Sequence, residues 1–141
     1  MQATIVRSGL IGLALAAFLG TGPAALAEVI TYKAALAAQG NDSKGTGNAQ
    51  VTFDTTTKVL TWSVTFDGLT GPATAAHFHG PAAPGANAGV AQLIANNPTS
   101  PATGMATLDD AKAADLMGGR WYVNIHTAAN RGGEIRGQVV K

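Results

Sequence analysis

The stretch Ala49–Leu69, AQVTFDTTTKVLTWSVTFDGL, decides the fold. Val51 and Phe53 alternate with Thr52 and Asp54, and Thr55 to Lys58 have the composition of a turn. Leu60, Trp62, Val64 and Phe66 then alternate with Thr61, Ser63, Thr65 and Asp67. A period of two places alternate side chains on opposite faces of a strand, so the segment predicts a β-hairpin with one apolar and one wet face. Trp62 falls on the apolar face and is expected in the core.

Outward from this hairpin the same pattern recurs in shorter pieces. Upstream, VITYKAAL sets Ile30, Tyr32 and Ala34 against Thr31 and Lys33, and a Gly/Asn/Ser-rich loop follows. Downstream, GLTGPAT breaks the run, and AAHFHGP forms a strand ending at Gly80-Pro81. From Pro81 to Ala106 the chain is rich in Pro, Gly, Ala and Asn, with VAQLI as one short apolar patch, an edge strand or an isolated turn. Thr107, with Leu108, Asp109 and Asp110 after it, reads as a capped helix start. That helix runs through AKAADLM to Gly118-Gly119. Asp109 and Asp110 are thereby assigned to a cap rather than to a catalytic pair.

WYVNIHT next places Trp121, Val123 and Ile125 on one face and Tyr122, Asn124 and His126 on the other. In EIRGQVVK, Ile135 and Val139 lie opposite Glu134, Arg136 and Gln138. Short alternating strands, turn-rich joints and one minor helix predict an all-β sandwich or partly open barrel.

The N-terminus reads as a separate unit. Arg7, the apolar run LIGLALAAFLG and the small-residue pattern Ala25-Leu26-Ala27 have the order of a signal peptide. The expected organisation is therefore a signal peptide over 1–27, removed, and one β domain over 28–141. The apolar run is short for a membrane span, so an exported protein, periplasmic or secreted, is expected, with no membrane association after removal. The remaining chain carries eight basic and eight acidic residues. Without clustered Lys and Arg, nucleic acid is a poor partner. The chain has no cysteine, which excludes thiolate metal sites, iron–sulfur clusters and a Cys nucleophile. No Ser nucleophile motif and no phosphate loop is present.

All three histidines fall in two short motifs: His77 and His79 in AAHFHG, His126 in WYVNIHT. On a strand His77 and His79 point the same way, and a third imidazole from another strand completes a nitrogen cluster suited to copper or zinc. Copper leads, because copper(II) binds nitrogen sites more tightly in the usual affinity order. The competing reading has the histidines bonding Asn124, Thr127 or backbone carbonyls and bracing the fold without metal.

Tyr122, Asn124, Glu134 and Arg136 are candidates to orient the cluster from behind, Glu134 and Arg136 through an ion pair or through a histidine. An exposed Glu134–Arg136 pair and a plain surface tyrosine are the alternatives. Met105 and Met117 are available thioethers, with Met117 expected to pack on the sheet.

AHFHGPAAPG, followed by LMGGRWYVNIHTAANRGGEIRGQV, closely resembles the CHRD domain, first described in the developmental protein chordin and found in single-domain exported bacterial proteins. Ala76, His77, His79 and Gly80 match the first signature. Tyr122, Val123, Asn124, Ile125, His126 and Thr127, then Gly133, Glu134, Ile135, Arg136, Gly137 and Gln138, match the second. The resemblance implies an immunoglobulin-like Greek-key β-sandwich and no agreed activity. It departs at Asn130-Arg131, where the family usually has Asn-Pro; Arg131 is expected to alter the turn without touching a proposed ligand.

The His-x-His and late histidine are also similar to the copper ligands of the copper–zinc superoxide dismutases. This chain has no further histidine for a copper–zinc bridge, no zinc loop and no disulfide. The resemblance therefore implies at most a mononuclear three-histidine copper site, with redox or superoxide-related activity as one function. A metal-free structural or protein-interaction module and a copper carrier or storage protein without turnover are the others. Nothing in the sequence specifies a catalytic residue or a reaction.

Overall fold

A computed structural model describes Gly22 and residues 26–141. The expected signal peptide lies, apart from Gly22, Leu26 and Ala27, outside the described residues. Eight strands and one helix follow in the order β1 (Val29–Ala38), β2 (Thr46–Asp54), β3 (Val59–Asp67), β4 (Ala73–His79), β5 (Val90–Asn96), β6 (Ala102–Thr107), α1 (Asp110–Met117), β7 (Tyr122–Thr127) and β8 (Ile135–Gln138). They form one antiparallel sheet in the order β5-β4-β7-β8-β1-β2-β3-β6. The sheet curls until its two edge strands, β5 and β6, come into contact, giving a near-closed barrel. Among the described residues no helix is long and apolar enough to cross a membrane.

The β2–β3 hairpin forms in the register its alternation requires, with Val51 opposite Trp62 and Phe53 opposite Leu60. Its turn is held by Asp54, whose side chain accepts from the amides of Thr56 and Thr57. The inward face carries Tyr32, Leu36, Val51, Phe53, Leu60, Trp62 and Val64 into one core shared with Phe78, Trp121, Val123 and Ile125. Phe78 sits between the indoles, 5.5 Å from Trp62 and 5.6 Å from Trp121 between ring centroids. At about 25 cal/mol per Å² of apolar surface, fully buried aromatic rings of this size dominate the stability of so small a core.

Three local expectations change. The helix cap is Asp109, whose carboxylate accepts from the Lys112 amide, because Thr107 is still paired with Val59 in the β3–β6 ladder. The stretch beyond VAQLI holds a further strand, β6, where only loop was expected. VAQLI itself is part of edge strand β5. Met117 is 40% exposed rather than packed on the sheet, since Ala113 and Leu116 take the buried positions of α1.

Candidate metal centre

Strand periodicity places the histidines, and pairing brings them together. Phe78 points into the core, so His77 and His79 point to the outer face of β4. β7 pairs beside it with His77 opposite Asn124, His79 opposite Tyr122 and Ala75 opposite His126. His126 is therefore the diagonal neighbour of His77 on the same face. A register shift precedes each histidine in the β4–β5 ladder, between Ala76 and His77 and between Phe78 and His79. Such bulges re-aim side chains. The imidazole centroids end 5.5 Å (His77–His79), 5.1 Å (His77–His126) and 5.7 Å (His79–His126) apart.

Backbone carbonyls fix two of the three tautomers. His79 Nδ1 stands 3.0 Å from the carbonyl of Ala88, and His126 Nδ1 stands 2.9 Å from the carbonyl of Arg131. A carbonyl only accepts, so in both rings Nδ1 carries the proton and Nε2 is left with its lone pair. His79 is 9% exposed, and its Nε2 is buried with no hydrogen-bond partner. His126 Nε2 faces His77 Nδ1 at 3.2 Å. One ring nitrogen from each histidine lies within 4.8 Å of the other two.

Burial pushes the pKa of His77 below the usual imidazole range, helped by repulsion from His126 and His79. Burial also lowers that of His79; its bond to Ala88 works the other way, and His126 and Arg136 add to the lowering. Neutral imidazole is the form that binds metals.

These residues fit a metal ion. Tetrahedral nitrogen ligands at 2.0–2.1 Å from an ion stand about 3.4 Å apart. The His77–His126 pair already has this spacing, and His79 brings its ligand atom within 4.8 Å of both. The orphaned Nε2 of His79 is the decisive atom: a buried acceptor without a donor costs about 1–3 kcal/mol, and a cation relieves it. The cluster is thus able to coordinate a metal ion.

The residues behind the cluster divide. Tyr122 is buried and stacks on His79, with centroids 5.1 Å apart and planes 8° from parallel. Its hydroxyl accepts from the Ala88 amide at 3.1 Å and reaches the Ala88 carbonyl at 3.3 Å, the group that orients His79. The plain surface tyrosine is therefore overturned. Arg136 lies over the other face of Tyr122, 3.6 Å from the ring centroid, and donates to Asn87 and to the Ala86 carbonyl. It thereby holds the 80–89 loop that carries Ala88. Asn124 is buried, donates to the Gly132 carbonyl, and packs so tightly on Gly133 that a Cβ there, at φ +123°, would meet its Oδ1 at 2.1 Å.

Glu134 forms no ion pair with Arg136 and no hydrogen bond to a histidine. It is 1% exposed, and its carboxylate accepts from Ser43 Oγ (2.6 Å), the Thr70 amide and hydroxyl (2.7 Å each), Thr127 Oγ1 (2.5 Å) and Asn130 Nδ2 (3.2 Å). The exposed-pair alternative fails because hydroxyls from two loops, at Ser43 and Thr70, and from Thr127 at the end of β7 close over this carboxylate. No histidine bonds Asn124 or Thr127; of the bracing partners expected, only backbone carbonyls are used.

Two residues that orient ligands had no side-chain signal in the sequence: Ala88 and Arg131 act through their carbonyls. Arg131 therefore does touch a proposed ligand, contrary to expectation. Only its place in the turn after WYVNIHT, within reach of the last histidine, pointed there.

The family model of the CHRD domain matches residues 29–139, and the chain belongs to that family. No curated protein and no solved structure matches it.

Proposed function

We propose that this CHRD-domain protein binds a single metal ion, copper ahead of zinc, through His77, His79 and His126, in an exported compartment. The observation that carries the reading is the His79 Nε2 lone pair, buried and unpartnered while Nδ1 is committed to Ala88. Copper is favoured over zinc by the affinity order of divalent ions at nitrogen sites. Arg7, the apolar run after it and Ala25-Leu26-Ala27 support export with cleavage after Ala27. The connections from β3 to β4 and from β6 through α1 to β7 join strands that are not neighbours, which supports a Greek-key path of the immunoglobulin kind.

Copper, when bound, supplies one-electron chemistry. The chain's own part is to gather three imidazoles, two of them, His79 and His126, with their Nδ1 protons turned away toward carbonyls, and to keep His79 dry against Tyr122. A redox role, with superoxide dismutation among its forms, is supported by the His-x-His and late histidine shared with the copper ligands of the superoxide dismutases. Storage or delivery of copper uses the same ligands without turnover. A second reading, a metal-free structural or protein-interaction module, is favoured by the 3.2 Å contact of His77 Nδ1 with His126 Nε2, which braces β4 to β7 unaided.

Copper(II) titration followed by electron paramagnetic resonance separates these readings. One equivalent bound with nitrogen hyperfine structure, lost in His77→Ala and His126→Ala, is the expected result; competition with zinc then ranks the two ions. Binding that is weak, or unchanged in both variants, leaves the metal-free module.

A further inference from the structure

The three ligands are not equally enclosed. His79 is sealed, whereas His77 and His126 line an open cavity of about 440 Å³ together with Thr74, Thr127, Ala128 and Arg131. An ion held by the cluster is therefore approached from the His77–His126 side. No acidic residue lines this cavity. The nearby carboxylate, Glu134, is buried and saturated by its five donors. Three neutral imidazoles leave a divalent ion's charge uncompensated, and a bound cation is the largest local charge in such a site.

The arginines of the described residues sort themselves by what already holds them. Arg120 is paired with Asp115 at 2.6 Å. Arg136 is spent on Tyr122, Asn87 and Ala86. Arg131 is exposed, and among the described residues its guanidinium has no hydrogen bond or ion pair, while its backbone carbonyl orients His126. The same residue thus fixes a ligand with its main chain, lies among the residues that border the approach, and carries an uncommitted side-chain charge.

Resting on the metal reading above, we propose that this cavity is an anion-binding site: a small monovalent anion takes the metal's exchangeable position from the His77–His126 side, and Arg131, not Arg136, draws it in. Dication and guanidinium act together on one small ligand, and the cavity walls offer no competing negative charge.

The test separates the two functions of Arg131, because side-chain substitution leaves its carbonyl in place. Copper(II) stoichiometry is measured first for the wild type, Arg131→Ala and Arg131→Lys, so that azide affinity is compared only between proteins loaded to one equivalent. Azide is then titrated into each copper-loaded protein and followed by its charge-transfer absorption and paramagnetic spectrum. Arg131→Ala is expected to bind azide about three- to tenfold more weakly, with Arg131→Lys close to wild type and the difference shrinking at high salt. Equal azide affinity in all three, or a copper spectrum that azide does not perturb, overturns the anion site while leaving the metal site standing. Loss of copper in Arg131→Ala also overturns it, assigning the side chain to metal retention. Failure of the wild type to bind copper removes the metal reading and this proposal together.

Discussion

Two buried polar centres flank the β7–β8 hairpin, and they are built by opposite rules. At one end Glu134 is enclosed by Ser43, Thr70, Thr127 and Asn130, and both carboxylate oxygens are fully engaged. Burial pushes its pKa up, but the hydroxyl and amide donors outweigh burial and hold it down at about 2. At the other end His79 is nearly as buried, yet Nε2 has no donor at all. A satisfied buried charge ties loops together and asks for no ligand. An unsatisfied buried lone pair is a stability deficit, and one that a cation at this position would relieve. One polypeptide turn, residues 127–133, serves both: Thr127 and Asn130 face Glu134 while the Arg131 carbonyl faces His126.

The largest effect expected lies at the satisfied centre. Glu134→Gln places an amide among groups that only or mainly donate, and should destabilise the fold by about 2–3 kcal/mol in urea unfolding at neutral pH. The pH dependence has a definite sign. The folded pKa is depressed from 4.5 to about 2, so the stabilisation is complete above about pH 4.5 and is lost as pH falls toward 2. The shift corresponds to on the order of 3 kcal/mol. The stability gap between wild type and Glu134→Gln should therefore close on acidification. A gap that stays constant from pH 7 to pH 3 would break the contrast from this side.

Metal should act on the other centre alone, and nearly as strongly. An ion that binds only the folded state at one hundred times its dissociation constant adds about 2.7 kcal/mol. Urea midpoints with and without copper should show that gain in the wild type and in Glu134→Gln, and none in His77→Ala, His79→Ala or His126→Ala. An equal gain in the histidine variants would place the copper elsewhere on the protein.

How far the sequence discloses these centres depends on whether a side chain or a main chain does the work. Alternation exposed the β2–β3 hairpin and the facing of His77, His79 and His126, because period two is a side-chain signal. β6 escaped because ATGMAT has no apolar alternation: Gly104 is where Trp62 lies across the neighbouring strand, and a Cβ there would come within 2.5 Å of the indole. The strand is specified by what packs on it. Glu134 reads as half of an exposed pair with Arg136 because its donors come from loops 64 and 91 residues away in sequence. The carbonyls of Ala88 and Arg131 carry no residue-type signature whatever.

Tyr122 offers a finer test of the histidine end. Tyr122→Phe keeps the ring that stacks on His79 and supports Arg136, and removes only the hydroxyl that clips Ala88. A loss of about 1 kcal/mol in unfolding free energy is expected. A severalfold weaker copper affinity should accompany it, since the carbonyl that fixes the His79 tautomer is less firmly held. Unchanged affinity would show that the 80–89 loop holds Ala88 without help from the hydroxyl.

The smallest effect is the most diagnostic. His79→Phe removes a bond from Nδ1 to Ala88 but also removes the orphaned Nε2, and it retains a flat ring against Tyr122. The lost bond is worth about 1 kcal/mol and the relieved acceptor a similar amount, so the metal-free variant should unfold within about 1 kcal/mol of wild type. Copper binding, by contrast, should disappear. A residue buried as deeply as this one ordinarily loses several kcal/mol when its polar contacts are deleted, as Glu134 is expected to. Near-neutrality at His79, measured by urea unfolding beside Glu134→Gln, would mean that the fold gains nothing from the imidazole that a phenyl ring does not supply. The imidazole would then be there for the ion.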